Sequence, residues 1–233
     1  MESVAVSLGG SFLVQEEGVD IALTREIAEV LERVAKTRKV YAVVGGGITA
    51  RRYIQGARRL GADESALDEL GIAVTRINAR VLIAALRSPY PVPAKTFDEA
   101  LLAGKGYGIV VLGGTHPGHT TDAVAVMMAE RAKAKRLVIA TNVDGVYTAD
   151  PKKDPNAKIL PELSARDLVN ITIGSENRAG SAGVVDSLGA KLILRSGIET
   201  AVVDGRDLKS LEAALLSQPF TGSVVKPAEK GGA

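Results

Sequence analysis

Short apolar runs alternate along this chain with segments in which apolar residues recur at helical spacing. The runs predict buried β-strands at 4–8, 39–44, 109–112, 137–141 and 200–203, and a final edge strand at 223–225. The periodic segments predict helices at 27–34, 48–60, 65–86, 122–133, 164–170, 184–194 and 208–216. Parallel strands need crossover connections, and helices lie between the strands here. The order therefore predicts an α/β fold with a mainly parallel sheet and helices on both of its faces.

The composition excludes several classes of protein. A hydrophobic fraction of 46% over 233 residues can fill a substantial core, and a net charge of +2 gives no overall attraction to nucleic acid or acidic lipid. The absence of cysteine excludes disulfides and thiolate metal sites. No signal-peptide pattern and no apolar run near the ~20 residues of a bilayer span are present, so we expect a cytoplasmic protein without a membrane partner. Since no linker-like stretch divides the chain, we expect one domain at 1–226 and a frayed tail at 227–233.

Glycine runs follow three of the predicted strands, at 9–10, 45–47 and 113–114. In open α/β sheets, ligands bind beyond the carboxyl ends of the strands, where helix N-termini favour anions. A single run is equally well explained as a tight turn between a strand and a helix, but three runs favour phosphate binding. The P-loop and Rossmann glycine signatures are both absent. The sequence thus predicts a phosphate-binding sheet of another kind.

The segment GGTHPGHTTD at 113–122 carries the densest functional chemistry. It contains both histidines of the protein, but a metal site on them lacks an identifiable third ligand. Thr120 or Thr121 is expected to cap the following helix, and capping and anion binding can coexist at one helix terminus. The segment TNVDGVYTADP at 141–151 also follows a strand. Its turn residues are consistent with a surface loop, whereas its aromatic ring, amide and acids would suit a purine and its ribose.

Taken together, these motifs resemble the amino-acid kinase superfamily, and most closely its archaeal-type UMP kinase branch. The resemblance runs in order from about residue 4 to about residue 225. It rests on the glycine runs, on Arg51, on Asp68 in a long predicted helix, on the two segments above, and on Asp186 with Lys191. The THPGHTTD stretch is the part most specific to this branch.

This resemblance implies a three-layer αβα sandwich that transfers the γ-phosphoryl group of Mg-ATP to UMP, in pyrimidine nucleotide biosynthesis. ATP would bind toward the C-terminal half and UMP toward the N-terminal half. The implied contacts to the ATP phosphates are Gly10, Ser11, Gly47 and Arg51, and those to its base and ribose are Thr141, Asn142, Tyr147 and Asp150. The implied UMP contacts are Gly46, Asp68, Thr115, His116, Pro117, Gly118, His119, Thr120 and Thr121. Mg²⁺ would bind mainly through the phosphates, and such enzymes are commonly homo-hexamers built as trimers of dimers.

The implied catalytic residues are Arg51, Asp122, Asp186 and Lys191, with the two aspartates as organisers of cations. Many members of the superfamily have a lysine two residues before the first glycine pair, where this chain has Ser7. Arg51, Lys191 and Mg²⁺ are the candidates to replace that charge. Two alternatives stay open. One is a related kinase for an acylamino acid, carbamate or isopentenyl phosphate, and the other is a non-catalytic nucleotide- or oxyanion-binding protein of the same fold.

Overall fold

The computed structural model describes residues 1–149, 154–176 and 184–227, with the side chains of 174–176 left out. The predicted ribose contact Asp150 and the predicted tail beyond residue 227 lie outside this part of the chain. Within it, seven strands form one sheet in the order β5-β4-β1-β6-β8-β9-β7. These strands are β1 (Glu2–Leu8), β4 (Arg38–Val44), β5 (Ile109–Leu112), β6 (Leu137–Thr141), β7 (Glu162–Ser164), β8 (Thr200–Asp204) and β9 (Ser223–Lys226). A small hairpin is formed by β2 (Val14–Gln15) and β3 (Gly18–Val19).

Helices cover both faces of this sheet. They are α1 (Gly10–Leu13), α2 (Ile21–Ala35), α3 (Gly47–Arg59), α4 (Glu64–Ala85), α5 (Phe97–Ala103), α6 (Thr121–Arg131), α7 (Ala165–Glu176), α8 (Ser187–Ser196) and α9 (Leu208–Leu215). Successive side chains of a strand point to opposite faces, and β1 divides in this way: Ala5 packs in one apolar cluster, while Val4, Val6 and Leu8 pack in the other. Helices α2, α4 and α9 contribute to the second cluster, and α6 and α8 to the first. The predicted three-layer α/β fold is confirmed.

The sheet reverses its order of strand addition at β1. The chain runs outward from β1 to β4 and β5, and then returns to place β6 on the other side of β1, with all four strands parallel. The carboxyl ends of β1 and β6 therefore flank a crevice from which the connections leave in opposite directions. Ligands of open α/β sheets bind at such a point.

The sequence prediction differs from the structure at the sheet edge. β9 was predicted as the edge strand, and this is wrong, because β9 lies between β8 and β7, antiparallel to the former and parallel to the latter. The true edge strand, β7, has three residues and is too short to show a two-residue periodicity. The short elements α1, β2, β3 and α5 were also missed. Among the described residues, no helix combines the length and the apolar character that a membrane crossing requires.

Candidate active site

A cavity of about 420 Å³ lies at the carboxyl ends of β1, β4 and β6. Two glycine turns form most of its floor, and polar side chains from six segments complete its walls. The lining residues are Ser7, Gly9, Gly10, Ser11, Phe12, Gly45, Gly46, Gly47, Arg51, Thr121, Asp122, Ile139, Ala140, Thr141, Asn142, Val184 and Arg206. The predicted phosphate contacts Gly10, Ser11, Gly47 and Arg51 are thus brought together, and their contact with ATP stays a prediction.

The two glycine turns are in direct backbone contact. A methyl group added to Gly10 would lie 2.3 Å from the Gly45 carbonyl oxygen and 2.4 Å from the Gly47 nitrogen. Gly47 has φ +60°, in the left-handed region that favours glycine, and a methyl group there would meet the backbone of Gly10 at 2.6 Å. The close approach of the two turns therefore requires glycine at both positions, and at Gly47 the backbone conformation requires it as well.

Helix α3 begins at this contact and presents its N-terminus to the cavity. Unlike α2, α4, α5, α6, α8 and α9, it has no side-chain cap for its first N–H groups. Uncapped N–H groups and the positive end of the helix dipole favour an anion. Arg51 lies four residues after Gly47, on the same face of the helix, and also lines the cavity. This side of the cavity is suited to phosphate.

Two polar residues of α4 hold the turns in place, and sequence reasoning missed them. The Asn78 side-chain amide donates to the carbonyl oxygens of Gly45 (2.9 Å) and Gly46 (3.2 Å). The Thr75 hydroxyl accepts a hydrogen bond from the Gly114 N–H at 2.7 Å. Both residues are buried. The available signal was their position: polar residues within the apolar stripe of a helix need a buried partner.

Asp122 and Asp186 lie at the ends of neighbouring helices beside the cavity. Asp122 accepts a hydrogen bond from the Ser7 hydroxyl at 2.7 Å. Asp186 caps α8 by accepting from the Gly189 N–H (2.9 Å) and also accepts from the Thr120 hydroxyl (2.6 Å). Burial raises the pKa of the Asp122 carboxyl to about 6, with the negative charge of Asp186 as a further contribution, although the bond from Ser7 opposes this shift. Ser7, at the position where the family resemblance implies a lysine, is thus a buried hydroxyl bound to a candidate catalytic residue.

The predicted acceptor loop follows β5 and ends at α6. Thr120 caps α6 by accepting from the Ala123 N–H at 3.1 Å, so the first of the two predicted caps is confirmed. The Gly118 N–H donates to the Asp68 carboxylate of α4 at 2.7 Å. The Thr115 hydroxyl is buried, and the structure gives it no hydrogen-bond partner. Residues 116–120 are exposed, with the rings of His116 and His119 6.3 Å apart. The loop is thus tied to α4 at Gly118 and to α6 at Thr120, while its residues 116–120 stay exposed to solvent.

Of the other predicted residues, some line the cavity and others do not. Thr141 and Asn142 line the cavity. Tyr147 donates its hydroxyl to Asp144 at 2.7 Å, which raises the pKa of the Tyr147 phenol, and it does not appear among the described lining residues. Lys191 is exposed on α8 and is likewise absent from that set. Arg206, which the sequence reasoning did not single out, does line the cavity.

The donor atoms around the cavity fit a weakly held Mg²⁺. Among the described residues, no group of three or more His, Cys, Asp or Glu is placed to hold a metal ion. The carboxylates of Asp122 and Asp186 are hard oxygen donors, the type that Mg²⁺ prefers. Mg²⁺ commonly binds through one or two carboxylates together with substrate phosphates. The residues present therefore fit an ion that arrives with a nucleotide.

Comparison with known proteins accounts for this arrangement. The model of the amino acid kinase family matches residues 2–204. The chain belongs to the amino acid kinase family. Among related members, a uridylate kinase of Methanothrix thermoacetophila is 48% identical over 214 residues, which cover 91% of this chain and 94% of that protein. A uridylate kinase of Thermococcus sibiricus is 45% identical over 225 residues, or 96% of this chain and 99% of the other.

Solved structures of the amino acid kinase family show the same architecture. The crystal structure of uridylate kinase from Archaeoglobus fulgidus superposes with a TM-score of 0.86 at 45% identity and covers 97% of this chain and all of that one. UMP kinase from Bacillus anthracis gives a TM-score of 0.79 over 97% of this chain and 96% of the other. Its identity of 23% supports the fold alone.

Proposed function

We propose that this protein is a uridylate kinase that transfers the γ-phosphoryl group of Mg-ATP to UMP, giving UDP and ADP. The observation that carries the proposal is the placement of the THPGHTT loop. Of its last residues, Thr121 lines the glycine cavity, and Thr120 donates a hydrogen bond to Asp186, which interacts with the cavity residue Asp122. An acceptor held by this loop would meet a phosphate chain held by the glycine turns. The full-length uridylate kinase relatives support the same reaction.

The chain's own residues need only position the substrates and neutralise charge. The second pKa of a phosphate monoester is about 6, so the attacking UMP phosphate is largely dianionic at pH 7 and needs no general base. The N-terminus of α3 and the Arg51 guanidinium would hold the donor phosphates, and their donors would stabilise the charge on the transferring group. Asp68, Thr115 and the exposed residues of the acceptor loop would hold UMP. Asp122 and Asp186 would hold Mg²⁺ together with the phosphates, and the ion would screen their negative charge.

The Thr120–Asp186 hydrogen bond gives Asp186 a role in this scheme. Asp186 connects the N-terminus of α8 to the end of the acceptor loop, close to Asp122. A negative charge at this point repels phosphate unless a cation lies between them. We therefore assign Asp122 and Asp186 to orienting the cation that accompanies the nucleotide. Lys191, which lies outside the cavity, remains a weaker candidate for a direct phosphate contact.

The proposal is tested by ADP formation from Mg-ATP with UMP, CMP, dUMP, N-acetylglutamate, carbamate or isopentenyl phosphate as acceptor. We expect UMP to turn over best. Thr120→Ala should lower activity, whereas Thr120→Ser, which keeps the hydroxyl, should retain most of it. Thr96→Ala is the matched control, because Thr96 caps α5 through the same kind of bond, to the Glu99 N–H, away from the cavity. A better acceptor than UMP would keep the family and overturn the substrate, and nucleotide binding without turnover would favour a binding protein.

We also propose that residues 1–226 act as one domain and that the chain assembles as a homo-hexamer. Large apolar side chains are exposed on α3, just after it and on α4: Tyr53 is 61% exposed, Leu60 89% and Ile77 60%. These two helices pack against each other, and several exposed apolar side chains of this size on one helix pair are typical of a contact surface. Light scattering at micromolar concentration tests the assembly, and a monomer would contradict it.

A further inference from the structure

We propose that Arg206 binds the phosphate chain of the donor nucleotide and supplies the positive charge that Ser7 cannot. This inference deepens the proposed function, since it assumes a nucleotide donor in the glycine cavity. It does not depend on which acceptor is used.

The backbone around Arg206 is fixed at the edge of the cavity. Arg206 lies two residues after the end of β8, and the N–H of the intervening Gly205 donates to the Thr141 carbonyl at 2.9 Å. A methyl group on Gly205 would lie 2.7 Å from the Phe12 ring, so this turn packs tightly on the cavity wall. The Arg206 N–H donates to the Asp204 carboxylate at 2.9 Å. These contacts therefore fix the backbone from which the Arg206 side chain projects.

An aromatic ring orients the Arg206 side chain. Its guanidinium carbon lies 5.9 Å from the centroid of the Phe12 ring, within the range of a cation–π contact. Phe12 is almost fully buried and itself lines the cavity. A guanidinium held over the face of a ring keeps its N–H donors free to bind phosphate oxygens.

No described carboxylate neutralises Arg206 through an ion pair. By contrast, Arg33, Arg58, Arg136 and Arg195 each pair with a glutamate. Arg206 and Arg51 are the two cationic side chains among the described residues that line the cavity, and both lack such a pair in the described part of the chain. An uncompensated guanidinium at the wall of a cavity suited to anions indicates an anionic ligand.

The two arginines approach from opposite sides. Arg51 lies on the helix that follows β4, and Arg206 follows β8, with β1 and β6 between those strands. Neighbouring strands are about 4.8 Å apart, so the carboxyl ends of β4 and β8 are separated by roughly 14 Å across the crevice. A side chain from each can reach a phosphate chain lying over β1 and β6. The lysine absent at position 7 would have come from β1 itself, directly beneath that chain. In its place, Ser7 is buried and bonded to Asp122.

Direct binding measurements with Mg-ADP and with UMP alone test this inference. Loss of a charge-assisted contact should raise the Kd of Arg206→Ala for Mg-ADP by roughly 10- to 100-fold. The Kd for UMP should stay within threefold of the wild-type value. Arg206→Lys should recover part of the ADP affinity, because it restores charge but not the planar fork. Arg80→Ala removes an exposed arginine of α4 and should behave as the wild type.

Two further measurements separate phosphate binding from a structural role. The thermal midpoint of Arg206→Ala should match that of the wild type, because the side chain is exposed. ADP affinity should also fall less steeply with salt in Arg206→Ala than in the wild type, since one phosphate contact is missing. An ADP Kd within threefold of wild type, equal weakening of ADP and UMP, or wild-type protein that binds no ADP would each overturn the inference. Wild-type protein that binds ADP but does not phosphorylate UMP would instead overturn the proposed function alone.

Discussion

Replacing Gly10 with alanine would place a methyl group between the two glycine turns that form the floor of the cavity. The methyl carbon would lie 2.3 Å from the Gly45 carbonyl oxygen, whereas real contacts of this kind essentially never fall below 3.0 Å. The turns must therefore separate by at least the difference, 0.7 Å. Backbone atoms on both sides leave no flexible side chain to absorb the change. Because a displacement near 1 Å at a reacting centre can cost about 100-fold in rate, we expect kcat/KM for Mg-ATP to fall by roughly that factor.

Gly56→Ala provides a matched control for this prediction. Gly56 lies within α3, and a methyl group there would meet nothing within 4 Å. Alanine is favoured over glycine inside a helix by roughly 0.5–1 kcal/mol, so this variant should be slightly more stable and equally active. Steady-state kinetics and thermal unfolding of both variants decide the matter. If Gly10→Ala kept kcat/KM within threefold of the wild type, the close contact of the turns would have no role in activity.

Two further predictions concern polar contacts beside the cavity. Asn78→Ala leaves two carbonyl oxygens of the 45–46 turn without their donor, so the free energy of unfolding should fall by about 1–3 kcal/mol and KM for ATP should rise. Asn170→Ala, at an exposed position of α7, is the control. Equal thermal midpoints for the two variants would contradict the role of Asn78 in holding the turn. The Asp122 carboxyl has a pKa of about 6 in the folded chain against an ordinary 3.8, so it binds a proton more tightly when the chain is folded. As pH falls from 7 to 4, the free energy of unfolding of the wild type should therefore rise by about 2–3 kcal/mol relative to that of Asp122→Asn. Urea unfolding of both proteins across that pH range measures this difference. If their free energies of unfolding changed in parallel with pH, the raised pKa would be refuted.

The strands of the central sheet could be predicted because each is buried on both faces and appears as a continuous apolar run. The position of β9 inside the sheet could not be predicted. It has a second neighbour only because β7 pairs with it, and β7 contributes only three residues. Helix boundaries were recoverable where a cap was visible, as at Thr120 for α6. Helix α4 begins at Glu64 because Asp63 caps it, one residue before the predicted start.

The candidate site was predictable where glycine follows a strand, since that pattern is local. The sequence did not predict three other residues of the site, because the fold brings them there from distant parts of the chain. Arg206 follows a strand that is far from the glycine turns in sequence. Thr75 and Asn78 lie on a helix whose apolar pattern is that of an ordinary core helix. Lys191 was predicted from the family resemblance. In the structure Lys191 is exposed on α8 and is not among the described residues that line the cavity.

Helix α4 touches both halves of the candidate site through one side. Asp68 bonds the acceptor loop, Thr75 bonds its base at Gly114, and Asn78 bonds the turn that begins the donor pocket. These three positions span ten residues, or about 15 Å of a rigid rod. A sliding or rolling motion of that rod would displace the two substrate pockets in step rather than singly. A contact on the solvent-facing side of α4, from a neighbouring subunit for example, would therefore change the affinities for both substrates together.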